Sequence, residues 1–365
     1  MGLGVIMNKK QIIKAITFIG GFLLILQTVT YVIRTNGGVK DRFTGFYAEK
    51  NDTLDVVMIG SSPVYPCFAG AKMWGEYGFT AYPLASNMQR PMATLSLVKE
   101  VRKTQNPEVF VFEMKQYTAS EEDMSDNMAY TRGVTDNMKY SWNRIDAINR
   151  MVPELEERYT YYFDIFKYHS NWKTMVLPSQ LACFNYEKLD PLKGFEFKDS
   201  YYPMSQVDYS EITDTVAIEP VYETALRELL AYLKENNLQA LFIVAPYSYE
   251  FADKQRNYNY MDEIIRSYGF EFLNLTEHTE DMGFDFATDF YDKGVHTNPL
   301  GAEKATEFLA LYLKNHFNIP DKRGKKEYQT WDEAFLRWET QMEKSRAVTM
   351  EKIKNKDYEE PEIED

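Results

Sequence analysis

The chain has 365 residues, 44% of them hydrophobic, so it can bury a large core and is not a disordered protein. Its net charge is −14, and the last sixteen residues, with three lysines and seven acids, carry only part of it. That balance argues against nucleic acid as a partner and against electrostatic docking on an anionic lipid surface, because both need a basic excess.

Residues 15–33 contain no charged side chain. At helical rise they span roughly 28 Å, the thickness of a hydrocarbon core. Lys9, Lys10 and Lys14 precede the run with no acid among them, whereas Arg34, Lys40 and Arg42 after it are offset by Asp41. The positive-inside comparison therefore makes 1–14 a cytoplasmic end and 15–33 an uncleaved signal anchor in the cell membrane, with the body extracytoplasmic. A cleaved signal peptide fits less well, since Gln27, Tyr31 and Val32 stand where small residues are needed. Residues 34–53 read as a polar stalk.

An α/β rhythm follows. The runs 55–60, 79–85 and 109–114 read as strands, with helices near 68–77 and 90–104 between them. The 109–114 run is apolar almost throughout, as a central parallel strand is. From 118 to 216 the rhythm breaks. This stretch reads as an insertion that forms part of a lid or substrate platform, its aromatics serving either its own small core or the faces of sugars. The rhythm returns with a helix at 221–234, a strand at 240–245, a helix at 260–268 and a strand at 270–275. Asn298 and Pro299 then open a helix that runs to about 314. Residues 321–365 form an appendix in which Trp331, Phe335, Trp338 and Met342 recur at helical spacing and pin a helix to the body, before an acidic end. The alternation predicts a three-layer α/β/α, flavodoxin-like body over 54–320, with a parallel central sheet.

The apolar run 54–59 ends in Gly60-Ser61-Ser62, a serine turn at the carboxyl end of a strand, where open α/β sheets bind ligands. Ser62 is the candidate nucleophile and Ser61 the alternative; the plainer reading is that both cap the next helix. A serine needs a base. Of four histidines, only His296 falls in the matching layer, between the 270–275 strand and a capped helix. Asp292 or Asp289, a few residues upstream, can accept its Nδ1–H and leave Nε2 for the serine. Metal binding is the weaker reading of this loop, which has neither a cysteine nor a second histidine. No glycine-rich phosphate cradle occurs, so no cofactor is implied. Cys67 and Cys183 read as two buried thiols, or as a pair outside the cell.

Together, Gly60-Ser61-Ser62 and Asp289 to His296, with Thr297-Asn298-Pro299-Leu300-Gly301-Ala302 after it, resemble the first and last blocks of the SGNH (GDSL-like) hydrolase superfamily. The resemblance covers about 54–315. It implies Ser62 as nucleophile, His296 as base and Asp292, with Asp289 as substitute, as orienter. Three departures stand out. Asp292 and His296 are separated by three residues instead of two, Leu84-Ala85-Ser86-Asn87 lacks the glycine of the second block, and Glu113-Met114-Lys115-Gln116 lacks the asparagine of the third. The oxyanion donors would then be backbone N–H groups of Ser62 and Ser86 and the Asn87 side chain, with Asn137 a further option. With its anchor, the chain is similar to the membrane-anchored bacterial branch that includes the D-alanyl lipoteichoic acid transfer and alginate O-acetylation proteins. That implies a serine esterase or O-acyltransferase acting on acyl groups, chiefly acetyl, of a cell-surface glycopolymer, beside a membrane-bound O-acyltransferase. The alternative is a catalytically degenerate scaffold or glycan-binding partner of such an enzyme.

Overall fold

In the computed structural model, residues 8–34, 37–182, 186–248 and 252–358 are described. All five apolar runs form strands: β1 (Val56–Gly60), β2 (Ala81–Ala85), β3 (Val109–Glu113), β4 (Ala240–Val244) and β5 (Glu271–Asn274). They make one sheet in the order β2-β1-β3-β4-β5, with every neighbouring pair parallel. Each residue of β1 to β4 is buried, which is why these strands read as continuous apolar runs instead of alternating ones.

The pleat sends alternate side chains to opposite faces. Val57, Ile59, Phe110, Phe112 and Phe242 share one core with the helices α2 (Gly38–Ala48) and α3 (Thr94–Val101) and with two later helices, over 220–235 and 252–267. Val56, Met58, Val111, Leu241 and Ile243 share a second core with a helix over 299–316. The sheet is therefore covered on both faces.

The expected stalk is not one. Residues 38–48 fold as α2, and Phe43 and Phe46 are each only 1% exposed. Several of the polar residues that suggested a stalk, Lys40, Arg42 and Glu49 among them, are themselves buried and paired. Arg42 Nε donates to the Gly194 carbonyl at 3.1 Å and Nη1 to the Ala85 carbonyl at 3.1 Å. Composition misled here because a guanidinium with carbonyl acceptors can be buried.

Before it stands α1 (Lys9–Ile33), long and apolar enough to cross a membrane, with none of its most apolar stretch buried in the protein. Such a helix is compatible with a single-pass anchor. Its last turn enters the body, where Thr30, Tyr31 and Ile33 are buried.

The insertion is helical up to residue 182, with α4 (Glu121–Asp126), α5 (Met128–Thr135), α6 (Trp142–Met151), α7 (Leu155–Tyr162), α8 (Ile165–Tyr168) and α9 (Leu177–Ala182), and its described residues 187–216 are irregular. Its own core is small, built on Ile148, Val152 and Tyr161. Short helices with little to bury explain the weak periodicity. The later helices are α10 (Pro220–Glu235), α11 (Ala252–Ser267), α12 (Pro299–His316) and α13 (Gln329–Asn355). On α13, Trp331, Trp338 and Met342 are buried against the body, and Trp331 Nε1 donates to Glu49 Oε2 at 3.2 Å. The acidic end beyond 358 and Cys183 lie outside the described residues, while Cys67 is a buried free thiol.

Candidate active site

The chain leaves β1 toward β2 on one side and returns to β3 on the other, so the carboxyl ends of β1 and β3 flank a topological switch point. β1 brings Gly60-Ser61-Ser62 there, and β3 brings Glu113 and the turn that follows. Position 60 must be glycine. A Cβ there would lie 2.5 Å from Glu113 Cβ and 2.9 Å from Val64 Cγ2.

The two serines have different surroundings. Ser61 Oγ donates to Glu113 Oε2 at 3.2 Å and accepts from Gln116 Nε2 at 3.3 Å. Ser62, 8% exposed, has no hydrogen bond from its hydroxyl among the described residues. Neither serine caps the following helical turn over 64–67, which has no side-chain cap; the Val64 N–H bonds the Ser61 carbonyl at 3.1 Å. The capping reading is thereby set aside.

His296 is held by Asp292. Its Nδ1 lies 2.5 Å from Asp292 Oδ2, while the backbone N–H groups of Val295 and His296 donate to Oδ1 at 2.9 and 3.0 Å. The imidazole also stacks on Tyr291, with ring centres 5.4 Å apart and planes at 11°. The extra residue between Asp292 and His296 is absorbed at Gly294, whose φ of +79° turns the chain back and whose N–H bonds the Asp292 carbonyl at 2.6 Å. Asp289 does not substitute. Fully buried, it accepts from Lys304 Nζ at 2.7 Å, the Asp285 N–H at 2.8 Å and Thr288 Oγ1 at 3.0 Å, which makes it a brace for the loop. After the loop, Asn298 caps α12 through Oδ1, which accepts from the Leu300 and Gly301 N–H groups at 3.0 and 3.3 Å.

Two links bring the serine turn and the histidine loop together. Thr297 Oγ1 donates to the Pro66 carbonyl at 3.1 Å. From the other side, the Lys115 ammonium sits in the field of both Glu113 and Asp292. His296 Nε2 is buried and has no hydrogen-bond partner among the described residues, so Ser62 and His296 are not hydrogen-bonded in this structure. Such bonds are commonly long without substrate and tighten in the complex.

Three ionisable groups here are displaced from their ordinary values. Burial pushes Asp292 up, but the His296 hydrogen bond and charge and the two loop N–H groups outweigh it and hold the carboxylate below its usual range. Burial raises Glu113 despite the Lys115 and Ser61 contacts. Burial lowers Lys115 despite the attraction of Glu113 and Asp292.

The expected oxyanion donors fare unequally. Ser86 follows β2 directly, beside Gly60 through the Gly60–Ala85 pairing, and is buried with its hydroxyl 3.4 Å from Gln89 Oε1. Asn87 is exposed, and its Oδ1 accepts from the Tyr65 hydroxyl at 2.7 Å, which leaves the Nδ2 hydrogens as donors. Asn137 is held to its own backbone, donating from Nδ2 to the Gly133 carbonyl at 2.8 Å. Asn87 and Asn137 line a cleft of about 420 Å³ that reaches Arg34, Lys40 and Lys167 beside the end of α1.

Sequence reasoning treats Glu113, Lys115 and Gln116 only as departures from a pattern. In the fold they form a polar cluster under the serine turn. The signal was present: a glutamate closing a Val-Phe-Val-Phe strand needs a partner at the strand's end.

The class is thus a parallel α/β protein with an Asp–His pair and a serine turn at the carboxyl edge of its sheet. No family model, curated protein or solved structure matches the chain.

Proposed function

We propose that this chain is a membrane-anchored, extracytoplasmic serine esterase or O-acyltransferase with an SGNH-type site, acting on acyl groups of a cell-surface glycopolymer. The observation that carries the reading is the Asp292-held His296, its Nε2 unengaged, beside a serine turn in which only the Ser62 hydroxyl is uncommitted. Ser62 Oγ attacks the ester carbonyl while His296 Nε2 takes its proton. The tetrahedral adduct collapses, the bond to the alcohol oxygen breaks, and His296 returns the proton to that oxygen. Water or a sugar hydroxyl then repeats the sequence on acyl-Ser62. Asp292 fixes the imidazole tautomer and stabilises the imidazolium.

A second reading, a catalytically degenerate scaffold that binds glycan beside a membrane-bound O-acyltransferase, draws on one observation: the Ser62–His296 bond is not formed. A fluorophosphonate probe on the full chain separates the two. The esterase reading expects labelling that is lost in Ser62→Ala and His296→Ala and kept in Ser61→Ala. Labelling that survives both losses sinks the triad. No labelling of the wild type, with glycan binding retained, selects the scaffold.

A further inference from the structure

We infer that residues 163–182 of the insertion bed into the extracytoplasmic leaflet of the bilayer that α1 crosses, as an apolar collar around the end of the anchor. The inference rests on the anchor reading of α1 and is independent of the esterase chemistry.

This segment exposes apolar surface on a scale that water does not tolerate as chance. Phe166 is 63% exposed, Trp172 64%, Val176 63%, Leu177 48% and Leu181 48%. Isolated exposed apolar residues are ordinary, but a contiguous set on one segment marks an interaction surface. Its place in the fold identifies what covers it. Asn171 Nδ2 donates to the Ile33 carbonyl at 3.0 Å, and Gln180 Nε2 donates to the Arg34 carbonyl at 2.6 Å. Asp164, just before α8, pairs with Arg34 at 2.5 Å. The segment is thereby fixed at the level of the last turn of α1, the depth at which a spanning helix leaves the hydrocarbon.

The apolar surface of α1 also continues into the collar. Leu23, Leu26, Phe163 and Ile165, together with Gln27 and Arg144, line one groove of about 390 Å³ between the helix and the insertion. Charge fits the same occupant. The exposed ionic side chains of 163–182 are Lys167 and Lys173, both cationic in a chain of net charge −14, and the single acid, Asp164, is buried. Lysines beside tryptophan and phenylalanine are the composition of a membrane interface, where the ammonium reaches the headgroups while the stem stays in apolar surroundings. Lys167 also lines the cleft that contains Asn87, so the collar puts the mouth of that cleft at headgroup height.

The test uses the full chain in a Cys183→Ser background, reconstituted in phosphatidylcholine vesicles. Nitroxide labels go on the new cysteines of Phe166→Cys, Trp172→Cys and Val176→Cys, with Phe18→Cys on α1 and Leu336→Cys on α13 as lipid and water references. Oxygen partitions into lipid and a nickel chelate into water. The expected result is an oxygen-to-nickel accessibility ratio severalfold above that of Leu336→Cys at all three positions, approaching that of Phe18→Cys. Ratios equal to Leu336→Cys would overturn the collar. Exclusion of both quenchers would overturn it as well, by showing that protein covers the surface. A water-like Phe18→Cys would remove the anchor and the collar together, while probe labelling of Ser62 in the same vesicles reads the esterase proposal separately.

Discussion

Two buried ionic clusters distinguish two regions of this molecule. Where α1 meets the insertion, Arg34, Arg132 and Arg144 surround Asp136 and Asp164. Arg144 Nη2 reaches both Asp164 oxygens at 2.8 and 3.0 Å, Arg132 Nη1 reaches Asp136 at 3.2 Å, and the Tyr168 and Tyr140 hydroxyls donate to the same two carboxylates. Every carboxylate oxygen there is engaged by a fixed donor. At the carboxyl edge of the sheet, Glu113, Lys115, Asp292 and His296 are also buried or half-buried, yet His296 Nε2 and the Ser62 hydroxyl are left without partners among the described residues. In the first cluster both carboxylates are fully engaged, although Arg34 Nε and Arg132 Nε are buried without a partner among the described residues, and the cluster holds two parts of the chain together. The second keeps capacity in reserve at the two atoms that the proposed acyl transfer would use. Burial of charge alone does not mark a site; an unengaged nucleophile and base beside an orienting carboxylate make a candidate one.

The sharpest break of this comparison compares two aspartates of one loop. Asp292→Asn is expected to lower esterase turnover on the order of 10³–10⁴-fold with the fold intact, because the orienting acceptor of the imidazole is lost. Asp289→Asn is expected to keep turnover and to weaken thermal stability, through the Lys304 pair. Equal losses of turnover in the two variants, measured on p-nitrophenyl acetate, would remove the distinction. Next in size, Asp164→Ala leaves three buried arginines, Arg34, Arg132 and Arg144, facing Asp136 alone and should cost about 3–5 kcal/mol in denaturant unfolding. A loss below about 1 kcal/mol would mean that the cluster is solvated and holds nothing together. The smallest effect concerns Glu113. Burial raises its carboxyl, so the stability tied to its proton is complete below the unfolded value and is lost as pH rises through the folded one. The melting temperature of Glu113→Gln relative to wild type should therefore climb as pH rises above the ordinary glutamate value of about 4.3. A flat difference would show that Glu113 titrates as it does in the unfolded chain.

Legibility followed burial pattern. All five strands were readable, since a parallel strand covered on both faces must be apolar throughout. The Asn298-Pro299 start of α12 was readable too, because capping is local chemistry. The stalk was misread because α2 buries Lys40 and Arg42 as well as Phe43 and Phe46, and the Arg42 acceptors, the Gly194 and Ala85 carbonyls, come from distant chain. The choice between Asp289 and Asp292 stayed open for a related reason. Both are aspartates in one loop, and only the position of Lys304, one turn into α12, commits Asp289 to bracing.

By itself the sequence determined the α/β rhythm, the apolar amino-terminal helix and the short set of residues able to do nucleophilic chemistry, since hydrophobic runs, turn residues and rare histidines are all local signals. Tertiary structure alone decided which serine and which aspartate stay available. That outcome depends on Glu113 and Gln116 taking the Ser61 hydroxyl and Lys304 taking Asp289, contacts made across strand and loop boundaries. A hydrogen bond satisfies one partner at the expense of another, and the partners are known only once the chain has folded.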